Sequence, residues 1–420
     1  MISLLPIQHN YINHLSQWEY NIGIVCEFNN GIFLSKHQVE TALSNVVDTQ
    51  EHLHQVYDRK LKKVVYKQTS QLINVDEITM NASIEDCTDY LQTLIGEKSK
   101  SIFKEQNYHI HITLCNTPIK QLCIFVIDHF ISDGASMALT LKLLETRILL
   151  NQDLPKTNVA AKLESILEDH RSVDLNELNY WQTKTKEKKE EVESYLNKDQ
   201  ENLLLRLGID LTNKTSNKIK QNKLKFDSLL LSAFQYAYTT VIGGEVGAIE
   251  IAKNIRHYLK MSELFFSSGP LVLFFPLRLE HRPDSLQASN ELIMNQLKQV
   301  KGKELSYSLL SSEGKIPSYP SKILYSNMGN LDEFDDLCDI MSLSKKPEGY
   351  FHGETFDKNM SCDKDLFIRP YTLQGSQVLW ISYNPNKYSK DQINKILEIT
   401  LSGFLDLIEL KSKANVLAYD

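Results

Sequence analysis

The sequence predicts an α/β protein built from two lobes. The chain has 420 residues, more than one hydrophobic core usually supports, which favours two domains of roughly 200 residues each. Along the chain, runs with the apolar pattern of strands alternate with runs that carry a helical apolar stripe. We therefore predict an N-terminal lobe over residues 1–175 and a C-terminal lobe over residues 176–420.

The first half of the chain contains the clearest strand and helix patterns. A strand-like run covers Ile22–Phe28, and residues 35–56 return to helical spacing. Residues 108–116 alternate apolar and polar side chains, as a strand with one buried face does. The next run, Gln121–Asp128, is apolar on both faces, which is typical of a central buried strand. From Gly134 onwards the apolar residues follow a helical stripe.

The second half repeats this mixture of helices and strands. A helix is predicted over 229–241, and strands near 246–252, 270–279, 322–326 and 378–383. Ser389 and Gln392 have the spacing of a capping box, which predicts the start of the last helix. The densely charged stretch 184–200 is either the boundary between the lobes or an exposed helix within one of them.

Composition and charge exclude several classes of function. Hydrophobic residues make up 42% and charged residues 24%, so the chain is neither disordered nor collagen-like. The net charge of −7 argues against a nucleic-acid partner. Six scattered cysteines without a C-x-x-C pair predict neither a disulfide framework nor a metal site. No apolar stretch approaches the ~20 residues that span a bilayer, and the start lacks a signal peptide. We therefore expect a cytoplasmic protein.

The segment His129-x-x-x-Asp133-Gly134 carries the candidate chemistry. It places an imidazole where a strand gives way to a helix, a carboxylate four residues later, and a glycine where the chain must turn tightly. An imidazole that leaves an apolar strand tends to stay neutral, the state that a general base requires. The alternative for His129 is a histidine satisfied within the core. Asp133 is expected either to pair with a cation and hold the loop or to cap the helix.

This segment, extended to Ser136, resembles the H-H-x-x-x-D-G signature of nonribosomal peptide synthetase condensation domains, a branch of the chloramphenicol-acetyltransferase-like superfamily. Asp128 stands where the family has its first histidine, and His129 matches the second, catalytic one. Further pieces occur in the family's order, so the resemblance spans nearly the whole chain: Leu5–Gln8, Glu51–His54, Tyr180–Trp181, Gly269–Arg278, Tyr325–Asn330 and Ser382–Asn384.

The resemblance implies two acetyltransferase-like lobes in a V shape, each a mixed sheet with flanking helices, and an active-site tunnel between them. It implies a condensation-type acyltransferase of nonribosomal peptide or other secondary-metabolite synthesis. The donor would be a thioester on the phosphopantetheine arm of an acyl or peptidyl carrier protein, or on coenzyme A. A small-molecule amine or alcohol would be the acceptor. His129 would deprotonate or orient that acceptor and stabilise the tetrahedral intermediate, without a bound cofactor or metal.

The sequence departs from the family's pattern at several site positions. His54 stands where the family has the arginine that pairs with the motif aspartate, so the partner of Asp133 is expected to be weaker or different. Leu273 replaces an asparagine expected near the tunnel, where Ser326 and Asn327 are further candidates. Glu250 falls where the epimerisation branch carries a second proton-handling glutamate, although its flanking residues differ from that branch.

These departures leave alternatives to condensation open. One is an epimerase of a carrier-bound aminoacyl group that uses His129 and Glu250. Another is a non-catalytic carrier-docking homologue that has lost turnover. A third is acylation of a free alcohol, since the segment that begins at Ser326 also resembles the S-N-x-G of stand-alone acyltransferases.

Overall fold

Two units divide the chain in the computed structural model. The first contains Met1–Val173, Asn254–Leu273 and Leu331–Ser361, and the second contains Asp174–Lys253, Phe274–Asn330 and Cys362–Asp420. The structure describes these residues: 5, 7–8, 21–58, 61, 63–81, 88–102, 108–151, 154, 156, 163, 165–168, 175–185, 195–196, 201–207, 225–243, 247–259, 262–279, 285–317, 319, 321–346, 349–350, 361–362, 364–373 and 375–417.

Both helices and strands occur in each half of the described chain, as the sequence predicts. The described helices are α1 (Lys36–Thr49), α2 (Thr88–Ile102), α3 (Gly134–Leu150), α4 (Leu175–Thr185), α5 (Phe226–Ile242), α6 (Arg256–Leu259), α7 (Leu286–Val300), α8 (Glu304–Ser312), α9 (Asp332–Leu337) and α10 (Lys390–Leu417). The described strands are β1 (Asn21–Phe28), β2 (Gln55–Asp58), β3 (Lys63–Tyr66), β4 (Ile73–Thr79), β5 (Ile110–Asn116), β6 (Gln121–Asp128), β7 (Tyr195–Leu196), β8 (Glu201–Leu207), β9 (Ala248–Asn254), β10 (Val272–Arg278), β11 (Ile323–Ser326), β12 (Gly329–Asn330), β13 (Met341–Leu343), β14 (Lys345–Lys346), β15 (Gly349–Tyr350), β16 (Ser361–Cys362), β17 (Leu366–Leu373) and β18 (Ser376–Tyr383).

The first unit is organised around a five-stranded mixed sheet in the order β13-β1-β6-β5-β4. All eight residues of β6 are buried, because β6 lies between two strands and is covered on both faces. This confirms the predicted central strand. One face of the sheet packs on α2 through a cluster of aliphatic side chains that includes Leu91, Ile95, Leu122 and Ile124.

The strand β13 reaches this sheet from a distant part of the sequence. It pairs antiparallel with β1, with Cys26 opposite Leu343. Glu145 of α3 holds the chain just before and within β13, because its fully buried carboxylate accepts hydrogen bonds from the amides of Asp339, Ile340 and Met341 at 2.6, 2.9 and 3.1 Å. A buried carboxylate needs such donors, so these hydrogen bonds to Glu145 fix the position of this segment.

The second unit has its own mixed sheet, with the path β10-β9-β11-β17-β18-β8 and β12 paired to β17. β11 runs parallel to β9 and β17, whereas β18 runs antiparallel to β17 and β8. Helices α5 and α10 pack together beside it, with Phe226 and Phe404 in edge-to-face contact at 5.4 Å. The capping box at the start of α10 is confirmed, since the Ser389 and Gln392 side chains each accept the other's amide.

The two units differ from the predicted lobes of 1–175 and 176–420. The first boundary falls at Val173, but segments 254–273 and 331–361 return to the first unit. The reason is long-range contacts that sequence periodicity does not reveal. Strand β13 extends the first sheet by pairing with β1. Arg256 and Gly269 form hydrogen bonds with the segment that follows β6. Most of the charged stretch 184–200 lies outside the described residues, and the V shape and the tunnel stay predictions.

Candidate active site

The turn that carries His129 is fixed by the residue before it. The main-chain carbonyl of Asp128 accepts a hydrogen bond from the amide of Ile131 at 3.2 Å. Its side-chain Oδ1 accepts one from the amide of Phe130 at 2.9 Å, the pattern of an Asx turn. The Gln8 side-chain amide donates to the Phe130 carbonyl at 3.2 Å. His129 is therefore enclosed by bonds that set the backbone on both sides of it.

His129 itself is buried, with 8% of its surface exposed. Burial lowers the pKa of its imidazole, because an imidazolium would lose hydration. The carboxylates of Asp133 and Asp128 favour the charged form and oppose this shift. Since burial dominates, the ring is neutral at pH 7 and has a lone pair available for a proton. That is the protonation state required of a general base.

Asp133 combines the two roles that the sequence left as alternatives. Its Oδ1 accepts the amide of Ser136 at 2.7 Å and so caps α3. Its Oδ2 accepts from Arg256 Nη1 at 2.9 Å and from the amide of Leu271 at 2.8 Å. The carboxylate thereby ties the segment between β6 and α3 to the segment 254–273 of the same unit.

Arg256 is the cation that pairs with Asp133, and the sequence did not point to it. The guanidinium is buried and donates to five oxygens: Asp133 Oδ2, Asn254 Oδ1, Ser136 Oγ and the carbonyls of Leu264 and Ser267. An arginine has five N–H donors, so this environment matches its full capacity. The residue is 123 positions from Asp133, which no local motif spans.

Ser136 extends this network to Gly269. The serine Oγ accepts from Arg256 Nη2 at 2.6 Å and from the Gly269 amide at 2.8 Å, and it donates to the Gly269 carbonyl at 2.5 Å. A Cβ on Gly269 would lie 3.2 Å from the Cβ and Cγ of His52, so the close approach of this ring favours glycine there. The motif residue Ser136 is thus a structural link between α3 and Gly269.

His52 is a second buried imidazole in this region. Burial, and then the positive charge of Arg256, lower its pKa to about 4. Neither ring nitrogen has a hydrogen-bond partner among the residues that the structure describes. The ring packs on the backbone at Gly269, and we assign it a packing role.

His54, which stands in place of the family's arginine, faces other groups than the Asp133 carboxylate. Its Nδ1 is 2.7 Å from the Lys67 carbonyl and its Nε2 is 3.0 Å from the Val47 carbonyl. Its ring stacks on Tyr66 with a centroid distance of 4.8 Å. The expectation that Asp133 has a different partner is confirmed, because Arg256 supplies the positive charge that pairs with its carboxylate.

Gly134 is the first residue of α3, and the expectation that the turn itself demands glycine there is wrong. The chain turns at residues 129–131, and Asp133, with extended backbone angles of φ −124° and ψ 177°, is the N-cap of the helix. Gly134 lies outside the left-handed region, and a Cβ on it would meet no described atom within 4 Å.

Glu250 and the two candidate tunnel residues Ser326 and Asn327 belong to the second unit. Glu250 lies in β9, and its Oε2 is 3.1 Å from Nζ of Lys364. Lys364 is buried and also donates to the Ser321 carbonyl at 2.9 Å. The carboxylate that sequence reasoning offered as a proton-handling group is therefore engaged in an ion pair with a buried cation.

The three residues that the sequence predicts near the tunnel, Ser326, Asn327 and Leu273, differ in exposure and in their contacts. Ser326 ends β11. Asn327 is exposed, and its amide donates to Asp227 Oδ1 at 2.7 Å, the same oxygen that accepts the Tyr325 hydroxyl at 2.6 Å. Leu273 is fully buried in β10, so its side chain is part of an apolar core.

The cysteines of the described part of the chain form no metal site with other side chains. Four described cysteines, at positions 26, 115, 123 and 338, are buried thiols. Within the described residues, no group of three or more His, Cys, Asp or Glu side chains could hold a metal ion. No described helix is long and apolar enough to cross a membrane.

Comparison with known proteins establishes the fold. No protein-family model matches the sequence, and no curated protein is a match. Among solved structures, the epimerization domain from the third module of tyrocidine synthetase B aligns with 16% identity and a TM-score of 0.81, over 98% of each chain. The X-domain from teicoplanin biosynthesis aligns with 12% identity and a TM-score of 0.72, over 97% of this chain and 95% of its own.

A third solved structure is the first condensation domain of the calcium-dependent antibiotic synthetase, in complex with a substrate analogue. It aligns with 14% identity and a TM-score of 0.69, over 98% of this chain and 96% of its own. These alignments cover almost the whole of both chains at low identity, so the likeness concerns architecture. The chain therefore has the α/β fold shared by condensation, epimerization and X domains.

Proposed function

We propose that this protein transfers an acyl or aminoacyl group from a thioester to an amine or hydroxyl acceptor. The donor is the phosphopantetheine arm of a carrier protein or coenzyme A. The observation that carries this proposal is His129: a buried, neutral imidazole in a turn set by Asp128, beside a segment tied down by the Asp133–Arg256 pair. A base held in one orientation is what proton abstraction from a weak nucleophile requires.

In the proposed reaction, His129 accepts a proton from the acceptor N–H or O–H as that atom attacks the thioester carbonyl. A C–N or C–O bond forms, and a tetrahedral intermediate carries the negative charge on the former carbonyl oxygen. The C–S bond then breaks, and the departing thiolate takes the proton back from the His129 imidazolium. The products are an amide or ester and a free thiol, and His129 is neutral again.

Two features favour transfer over the alternatives. An epimerase needs a second proton-handling group, and the candidate Glu250 is held by Lys364 at 3.1 Å. If Glu250 turned towards a substrate, it would leave a buried ammonium without its carboxylate, which is costly. A non-catalytic docking protein has no need of an oriented base, whereas the motif aspartate here keeps a buried arginine partner.

The test combines transfer and exchange in one experiment. The purified full chain is incubated in D2O with acyl-loaded and aminoacyl-loaded carrier proteins or the matching coenzyme A thioesters, together with a panel of amines and alcohols. Mass spectrometry follows both the transferred acyl group and deuterium at the aminoacyl Cα. We expect transfer without deuterium uptake, lowered by about 10² to 10⁴ in His129→Ala and unchanged in His37→Ala, which replaces an exposed histidine.

Three results would contradict the proposal. Equal transfer rates in wild type and His129→Ala, with equal melting temperatures, would remove the histidine from the chemistry. Deuterium uptake in the wild type that disappears in Glu250→Gln would identify an epimerase instead. Binding of loaded carriers without either reaction, for every acceptor tried, would favour the docking alternative.

A further inference from the structure

The carboxylate of Asp128 lies between two different bonding partners. One oxygen, Oδ1, accepts the amide of Phe130 at 2.9 Å. The other, Oδ2, is 2.7 Å from Nδ1 of His109. The main chains of the two residues are also bonded, with the Asp128 amide donating to the His109 carbonyl at 2.8 Å. Asp128 therefore connects the turn around His129 to a second histidine.

The tautomer of His109 follows from its neighbours. A carboxylate only accepts, so Nδ1 of His109 carries the proton that points to Asp128. The ring's Nε2 then presents a lone pair, and Nζ of Lys67 lies 3.3 Å from it. A lysine ammonium only donates, so the hydrogen bonds run in one direction, from Lys67 through His109 to Asp128.

His54 anchors the lysine end of this chain. The Lys67 amide donates to the His54 carbonyl at 2.9 Å, and Nδ1 of the His54 ring faces the Lys67 carbonyl at 2.7 Å. Both polar groups of the Lys67 backbone, its amide and its carbonyl, are therefore in contact with His54. His109 is 5% exposed and Asp128 is 7% exposed, so the link between them is nearly removed from water and weakly screened.

The two carboxylates next to His129 differ in their partners. Asp133 is bonded directly to the Arg256 guanidinium. Asp128 is bonded to the imidazole of His109, and the lysine charge lies on the other side of that ring. Both carboxylates favour the charged form of His129 and so raise its pKa, Asp133 more than Asp128.

From this geometry we propose that Lys67 and His109 are positioning residues that act on His129 through the carboxylate of Asp128. They hold the carboxylate in the orientation that fixes the turn, and the bridging imidazole keeps the lysine charge at a distance. The inference rests on the proposed role of His129 as a base and adds three residues that set its orientation and its affinity for a proton.

The proposal predicts shifts of opposite sign. The charges that bear directly on His129 are those of Asp133 and Asp128. Arg256 bonds to Asp133, and Lys67 is connected to Asp128 through His109. Removing the negative charge in Asp128→Asn lowers the pKa of His129, by about one unit for a nearby buried charge. Removing the positive charge in Lys67→Met raises it, by about half a unit because the charge is further away.

The experiment is an NMR titration of the histidine ring nitrogens in the full-length protein without substrate. The His129 signal is assigned by its loss in His129→Gln. Its pKa is then compared in wild type, Asp128→Asn, Lys67→Met and a matched control, Lys120→Met. Lys120 pairs with Glu27 and precedes β6 at the end opposite to Asp128, roughly 25 Å along the strand, so the control removes the same charge from the same unit.

We expect a fall in Asp128→Asn, a rise in Lys67→Met and no change in Lys120→Met. A merely structural role would not produce shifts of opposite sign. Shifts of the same sign in the two variants, or shifts below about 0.2 units in both, would overturn the inference. Because no substrate is involved, the titration is independent of the proposed function: opposite shifts in a protein that transfers no acyl group would leave the positioning residues standing and refute the transferase.

Discussion

Arg256 Nη1 lies 2.9 Å from Asp133 Oδ2, with side-chain exposures of only 4% and 2%. The two residues come from segments 123 positions apart, and both also bond to the backbone or side chains around the candidate base. Because neither group can be rehydrated without opening the structure, the pair couples the folding of the motif segment to that of segment 254–273.

Arg256→Leu should lower the free energy of unfolding by about 3 to 5 kcal/mol, since it leaves the Asp133 carboxylate buried without its cation. Chemical denaturation followed by circular dichroism measures this change. The matched control is Lys315→Gln, which breaks an ion pair with Glu313 at 2.7 Å. Lys315 is half exposed, so its removal should cost less than about 1 kcal/mol. Equal effects of the two variants would contradict the structural importance of the Arg256 pair.

Acid should destabilise the protein through its buried histidines. Burial lowers the pKa of His52 and of His111 to about 4, with help from Arg256 and Lys98 respectively. Between pH 6.5 and pH 4 the unfolded chain therefore binds more protons at these sites than the folded chain does. Stability rises with pH across this window and is lost as the pH falls.

Denaturation at pH 7.5 and at pH 4.5 measures this effect in wild type, His52→Gln and His111→Gln. The stability difference between the two pH values should shrink by about 2 to 3 kcal/mol in each variant. His37→Gln, which replaces an exposed histidine, is the control and should leave the difference as it is. An unchanged difference in both buried-site variants would refute the assignment.

The Glu250–Lys364 pair should behave as one structural unit. Glu250→Gln and Lys364→Met each leave a partner without its counter-charge and should each lower the melting temperature. The double variant should be more stable than the sum of the two losses predicts, because no buried charge remains unpaired. Thermal melting of the four proteins gives this coupling. Strictly additive losses would mean that the 3.1 Å contact contributes nothing.

Gly134→Ala should leave stability unchanged or raise it by up to about 1 kcal/mol, because alanine is the better helix former and has room. Gly243→Ala is the matched contrast. Gly243 directly follows α5 as its C-cap and has a φ angle of +80°. Like Gly134, it has no described atom within 4 Å of an added Cβ. It should lose roughly 1 to 2 kcal/mol from backbone strain alone. Thermal or chemical melting separates the two outcomes, and a loss at Gly134 as large as at Gly243 would contradict this reading.

The parts of the site that could be predicted from the sequence are those encoded locally. The apolar run of β6 and the helical stripe of α3 are continuous patterns, so they place His129 at a strand end correctly. The cap by Asp133 onto Ser136 spans three residues and was among the expectations. Local patterns therefore predicted the two elements around the motif and, as alternatives, both roles that Asp133 combines, but not which cation pairs with it.

The missed parts are long-range or lack a periodic signal. The Arg256–Asp133 pair joins residues 123 positions apart, and the His109–Asp128 pair joins residues 19 positions apart. Polar pairs of this kind leave no repeating pattern in the sequence. The three-residue strand β13 is too short for periodicity to detect. The motif glycine is a residue type typical of turns, whereas the chain turns at residues 129–131 and Gly134 is the first residue of α3.

The late arrival of β13 has a consequence for synthesis of the protein. Ser342 hydrogen-bonds to Asn29, 313 residues earlier in the chain. At ribosomal rates of about 5 to 20 residues per second, β1 has to wait roughly 15 to 60 s for its outer neighbour. During that time the nascent first sheet presents an uncovered strand edge, the kind of surface that recruits other chains. We therefore expect synthesis of β13, rather than completion of the first 173 residues, to be the step that covers this edge of β1 and lowers the risk of aggregation.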